Sequence, residues 1–300
     1  MIGKRTKISG IKRSGIVFAT VFLVFPILQF LVFYVGVNIK AWLSAFQIQS
    51  RGVTSWSFVN FRLFFLDLQS PVSNMSVILK NTFITFFVYD FISLPLCVLF
   101  SYVLFKKIVG QNFFRIIFYV PSLISIVALT LVFYYFVDVK GPVGALLGKM
   151  GVPYPSPFGS TATAFLWVMI YCVWSGLGYS IILLSGVISR LPAEIFESAR
   201  IEGCGMAREF FSIVLPLLAP TISMLFILNF ASAFGMWGPV QMLTSGNYGS
   251  GTIGFYIFKQ AQNDNYNYPS AVGLLVSAFV VPIVLLLKKL SERFTEEITF

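Results

Sequence analysis

Six stretches of the chain run long and nearly free of charge, near 15–39, 81–105, 114–137, 163–189, 217–240 and 269–288. An apolar helix of about 20 residues crosses a bilayer core, so the pattern predicts six transmembrane helices. No charge falls between Glu209 and Lys259, which leaves the end of the fifth helix open. Polarity returns abruptly between the fourth and fifth stretches. Glu194, Glu197, Glu202 and Glu209 lie there, four of the chain's eleven acidic residues.

That polar island has its own helical signals. Pro192 suits a first helical turn, where its missing N–H costs nothing. Glu194 just inside it complements the positive end of the helix dipole, and Gly203 suits a chain reversal. Residues 193–202 are thus expected to form a helix of about three turns, roughly 15 Å long. Ile195, Phe196 and Ala199 fall on one small apolar face, with the glutamates elsewhere. A second helical piece near 206–214 precedes Pro216. Two readings stand: a solvated connecting loop, or a short amphipathic plug for a groove on another protein.

Composition decides the solvent. The chain is 57% hydrophobic and 11% charged, with 34 phenylalanines, where a soluble domain carries about 25% charged residues. This is an integral membrane protein. Its net charge of +10 follows from the positive-inside rule and does not require a nucleic acid. With the N-terminus inside, fourteen Lys and Arg are cytoplasmic, including Lys106, Lys107, Arg115, Arg190, Arg200 and Arg208, and seven are outside. Both ends and the polar island are therefore expected in the cytoplasm, with tails at 1–14 and 289–300. The first apolar stretch is too long for a signal-peptide core and shows no obvious cleavage site. The outer segment 40–80, with Trp42 and Trp56, is expected on the membrane surface or against the outer helix ends.

Several chemistries drop out. There is no histidine, which removes His-based catalysis and most transition-metal sites. Cys97, Cys172 and Cys204 have neither a disulfide framework nor metal-ligand spacing. The run from Gly144 to Met150 looks like a phosphate loop but has three residues between its glycines and Met150 after Lys149, so it reads as a helix-ending loop. Pro26, Pro95, Pro121, Pro239 and Pro282 punctuate the spans, as packing kinks or as bending points. Asp90 is the ionisable group well inside a span, either a solute or gating contact or the partner in an interhelical hydrogen bond. Asn229, Ser232 and Met236 fall on one helical face, with Ser223 and Trp237 nearby; for the serines close helix packing is the competing reading. The polar and aromatic segments 246–251 and 263–268 meet a partner or are plain loops.

The island also carries a resemblance. Glu197-Ser198-Ala199, three residues, Gly203, nine residues, then Ile213, Leu215 and Pro216 resemble the EAA loop of permease subunits in binding-protein-dependent ABC importers. Ser198 stands where that signature usually has Ala, a small-for-small change. Three further features resemble the carbohydrate-uptake branch of that family. They are the context from Leu191-Pro192 to Ala219-Pro220, the pair Asn81-Thr82 that opens a span after the long outer loop, and the run from Tyr268 to Gly273 before the last span. The likeness covers most of 15–295.

The resemblance implies an all-α, six-helix type I ABC importer permease, one domain over 1–300 with its core at 15–288 and the coupling loop at 190–216. It implies a cytoplasmic coupling helix seated in a separate ATPase, which binds the ATP and magnesium; this chain is then no enzyme and holds no cofactor or metal. Glu194, Glu197, Ser198, Ala199, Gly203, Ile213, Leu215 and Pro216 would form the docking loop. A second permease, alike or identical, and an extracytoplasmic solute-binding protein would complete the importer in a bacterial or archaeal cytoplasmic membrane. Helix five would help line the sugar pathway, which points to Asn229, Ser232 and Trp237, with Asp90 as a further candidate. The alternative is an ion-coupled secondary transporter or channel built on Asp90.

Overall fold

The computed structural model describes residues 13–50 and 53–295. Lys4, Arg5, Lys7, Lys12 and Arg51, and the outer parts of both expected tails, lie outside these residues. Among the described residues, six helices are long and apolar enough to cross a membrane: Thr20–Ala45, Met75–Phe105, Ile126–Lys149, Ala164–Ile188, Met206–Phe234 and Asn267–Glu292.

The first crossing joins α1 (Arg13–Gln29), a π-helical stretch (Phe30–Gly36) and α2 (Val37–Ala45). A hairpin of β1 (Gln47–Ser50) and β2 (Val53–Trp56) follows, antiparallel with Gln47 opposite Trp56, then α3 (Val59–Gln69). The second crossing is α4 (Met75–Phe87), a π stretch (Val88–Ser93) and α5 (Leu94–Phe105). Then come α6 (Gln111–Leu123), α7 (Ile126–Val137), α8 (Pro142–Lys149) and α9 (Ala164–Ile188). The polar island forms α10 (Ala193–Ile201). The fifth crossing combines α11 (Met206–Glu209), a π stretch (Phe210–Val214) and α12 (Leu215–Phe234). Two short helices, α13 (Gly238–Leu243) and α14 (Ile253–Gln262), lead to α15 (Asn267–Thr295).

Several boundaries differ from the sequence expectation. The stretch 114–137 is not one helix: α6 and α7 separate at Ile124 and Ser125, both extended, just after Pro121. The piece at 206–214 does not stop before Pro216 but runs on into α12. A wider π turn precedes Pro216, as another precedes Pro95, and accommodates a residue that has no N–H for the helical ladder. The fifth helix ends at Phe234, short of 240, and the last continues past 288 to Thr295. Gly144 to Lys149 are helical within α8, started by Pro142 in its first turn, not a loop.

Helices α5, α9 and α12 share one apolar cluster that includes Cys97, Ile181, Leu184 and Leu218, and Phe196 of α10 joins it. A second cluster links α7, α9 and α13 through Phe133, Tyr171 and Val240. The outer segment packs α3 against α15 and α4, so it rests on helix ends. The first crossing stands largely clear of the bundle and touches α15 along α2.

Candidate functional site

The α10 turn is built as its residues dictate. Glu194 occupies its first turn and Arg200 its last, the favourable ends for each charge. Gly203 has φ +70°, the left-handed region. Its N–H donates to Arg200 O at 3.0 Å, and Cys204 N–H donates to Ala199 O at 2.9 Å. These paired bonds make a Schellman ending, which turns the chain back towards α11.

The apolar face of α10 is spent inside the chain. Phe196 and Ala199 are buried, and the Phe196 ring lies 5.1 Å from that of Phe105 at the end of α5. The free face carries Glu194, Glu197, Ser198 and Glu202, all exposed, with Ile201 at 87% exposure. An isoleucine so placed contributes nothing to the fold it belongs to. Ile213 and Leu215 are half-buried in the helix that follows, and Pro216 is exposed.

One ion pair ties this turn to the bundle. The Glu209 carboxylate, 2% exposed, accepts from Lys106 Nζ at 2.5 Å (Oε1) and 2.7 Å (Oε2). Tyr102 Oη donates to the same carboxylate at 3.1 Å and also lies 3.1 Å from Met206 O. The Lys106 ammonium stands 5.6 Å from the ring centres of both Tyr102 and Phe196. A buried charge pair holds only with such extra hydrogen bonds. In the sequence Lys106 counts merely as a flank charge, because its partner is more than a hundred positions away. Ile201 reads there as one apolar residue among many.

A second polar locus lies between the helices. A cavity of about 340 Å³ is lined by Tyr89, Ser93, Tyr171, Asn229, Ser232 and Met236. Asn229 and Ser232 thus share a wall, as their spacing implies. Met236 lies past the end of α12, where Tyr89 Oη sits 3.4 Å from its sulfur. Trp237 instead stacks on Phe258, with ring centres 4.0 Å apart. Asp90 sits on the π stretch of the second crossing, 3% exposed. Asn229 is a polar neighbour of it, yet neither Asp90 oxygen makes a hydrogen bond of normal geometry. Among the described residues no cluster of His, Cys, Asp or Glu is arranged to hold a metal ion.

Residues 93–296 match the family of binding-protein-dependent transport system inner membrane components. The multiple sugar-binding transport system permease protein MsmF of Streptococcus mutans is 30% identical over 192 residues, which is 63% of this chain and 66% of MsmF. The arabinooligosaccharides transport system permease protein AraP of Bacillus subtilis is 22% identical over 90% of this chain and 87% of its own. The matches to MsmF and to YurN of Bacillus subtilis, the latter over 65% of its length, span just under two thirds of those relatives. A solved bacterial ABC transporter involved in import of the acidic polysaccharide alginate superposes with a TM-score of 0.82 over 95% of this chain and 98% of that one, at 21% identity. That likeness establishes the fold: an all-α, six-span transmembrane architecture.

Proposed function

Given that the chain belongs to the family of binding-protein-dependent transport system inner membrane components, we propose that it is the permease subunit of an ATP-driven carbohydrate importer. The carrying observation is α10 itself: nine residues, closed by Gly203, clamped by Lys106–Glu209, with a charged face and Ile201 left free. A loop with no further role would not need a buried ion pair behind it.

In this reading a separate ATPase subunit receives the free face of α10, with Glu194, Glu197, Ser198 and Ile201 at the contact, and supplies ATP and magnesium. Ala199, Gly203, Ile213, Leu215 and Pro216 shape the loop from within. When the ATPase moves α10, Phe196 pushes on Phe105 and Glu209 pulls on Lys106, so the displacement enters α5 and, through their shared core, α9 and α12. Rigid contacts of this kind transmit a shift because a packed core has discrete arrangements. A second permease of similar fold completes the pathway, and an extracytoplasmic solute-binding protein loads it. Both chain ends and α10 face the cytoplasm. Asn229 and Ser232 meet the solute within the membrane, Asp90 beside them and Trp237 further along. The carbohydrate class is supported by what MsmF, AraP and the alginate importer are named for.

The test is sugar uptake into proteoliposomes holding the co-purified complex. The reading expects uptake that requires ATP and disappears when Gly203→Val distorts the turn, with membrane insertion unchanged. Uptake by this chain alone, driven by a proton or sodium gradient and lost in Asp90→Asn, would instead support the ion-coupled reading, which the unpaired Asp90 motivates.

A further inference from the structure

At the end of the bundle opposite α10, a cavity of about 540 Å³ opens between the α3–α4 junction and the segment joining α13 to α14. Its volume lies in the range of small-ligand pockets, roughly 300–1,000 Å³. One wall is the 244–252 loop, wound to an unusual degree: Ser245, Gly246, Tyr248 and Gly249 have φ of +51°, +73°, +55° and +65°. Left-handed backbone is costly for a bulky residue such as Tyr248 and persists where the surroundings enforce it. Gly246 admits no substitute, since a Cβ there would run into the Phe255 ring.

Buried polar side chains do the enforcing. Asn81 Nδ2 donates to Gly249 O at 2.7 Å and to Gly251 O at 2.9 Å. Thr82 Oγ1 accepts from Ile253 N–H at 3.0 Å. Ser250 Oγ lies 2.7 Å from both Thr244 Oγ1 and Asn247 O. Asn81, Thr82, Thr244 and Ser250 are each at most 7% exposed. The second crossing begins at Met75, so the Asn81-Thr82 pair lies about two turns inside it rather than at its opening, and it is committed to this loop.

The loop holds Asn247 and Tyr248 at the cavity, where Asn74, Tyr256, Lys259 and Gln260 also line it. Asp67 lines it too, but its Oδ2 already accepts from Tyr268 Oη. Burial, and then the Asp67 carboxylate, push the Tyr256 phenol up to about 12; as a phenol it offers a hydrogen-bond donor. Two tyrosines, Tyr248 and Tyr256, line it, aromatic rings of the kind that pack on the C–H side of a sugar. Amides meet hydroxyls in both senses, as donors and acceptors, and the ammonium adds donors. Met75, Val77, Ile78 and Phe255 add an apolar side to the walls.

We propose that this cavity is a saccharide subsite, separate from the cavity at Asn229 and Ser232, that holds part of a glycan chain on the permease itself through Asn247, Tyr248, Tyr256 and Gln260. The glycan class rests on the transport reading above; the cavity and its enforced loop do not. The full chain in lipid nanodiscs is probed by saturation-transfer NMR with linear tetrasaccharides: maltotetraose, xylotetraose and tetragalacturonate. The expected result is transfer to at least one probe, weakened about tenfold in Tyr248→Ala and Gln260→Ala, the effect of about one lost contact, and retained in Asn229→Ala. No transfer to any probe, or transfer lost in Asn229→Ala and kept in Tyr248→Ala, overturns the subsite. So does protection of a Tyr248→Cys label by a co-purified binding protein and not by any probe, which would make the loop a protein contact. ATP-driven sugar uptake without binding here would sink the subsite and leave the importer; binding here without such uptake would do the reverse.

Discussion

Glu209 and Asp90 are both buried carboxyl groups, 2% and 3% exposed, and their surroundings are opposite. Glu209 has an ammonium on both oxygens and a tyrosine hydroxyl on one of them. Asp90 has no hydrogen bond of normal geometry on either. A polar group taken from water without a partner costs about 1–3 kcal/mol, so the two cannot serve the same end. The paired group holds α11, which follows α10, against the end of α5, where motion would have to be transmitted without slack. The unpaired one neighbours Asn229, which lines the cavity, in a crossing whose π turn already departs from the regular ladder, and π turns often mark functional positions. Within one chain, complete satisfaction marks the strut, the carboxylate that braces two helices, and the other is left without a full set of partners.

The largest expected effect lies at the strut. Glu209→Ala strands the Lys106 ammonium in a partly buried site, and breaking such a pair costs about 3–5 kcal/mol. Thermal unfolding of the purified chain should drop sharply and ATP-driven uptake should vanish. The exchange Lys106→Glu with Glu209→Lys should recover much of both; no recovery would reduce the pair to a local packing requirement.

Asp90 is expected to behave in the opposite sense. Asp90→Leu removes the unpaired group and should raise stability by up to about 1–3 kcal/mol while lowering uptake. A stability loss as large as that of Glu209→Ala would mean that Asp90 is a structural partner after all and would erase the contrast.

Gly203→Val comes next. A Cβ at Gly203 would meet nothing within 4 Å, so the cost is the left-handed backbone alone, about 1–2 kcal/mol. Insertion should survive and ATP-driven uptake should not. The smallest effect on folding belongs to Ile201→Asp, a surface change expected to move stability by no more than about 0.5 kcal/mol. Its readout is ATPase capture, which should fall while thermal unfolding stays put.

The two regions are unequally legible in the sequence. The six crossings and the α10 turn are local properties: apolar runs, Pro192, Glu194 and Gly203 act on their own neighbours, and the turn forms where those residues put it. The breaks at Ile124 and after Phe234 are not legible, because an apolar run reads the same whether or not its ladder is continuous. The strut is out of reach for another reason. Lys106 and Glu209 are brought together by the packing of α5 on the fifth crossing, and no spacing rule spans that distance. Asp90 stands out as costly from its position alone, but that it lacks a partner is a fact about every helix around it. Asn229 and Ser232 share a cavity wall as their spacing implies, whereas Trp237 follows the end of α12 and turns to Phe258.

In the proposed function, an ATPase engages this chain through the free face of α10. A pull-down of the full chain in mild detergent from its native membrane, wild type beside Ile201→Asp, tests it most directly. The expected result is an ATPase captured by the wild type and lost or much reduced with Ile201→Asp, at equal amounts of folded chain. Equal capture by both, or recovery of the wild-type chain with no ATPase, would contradict it.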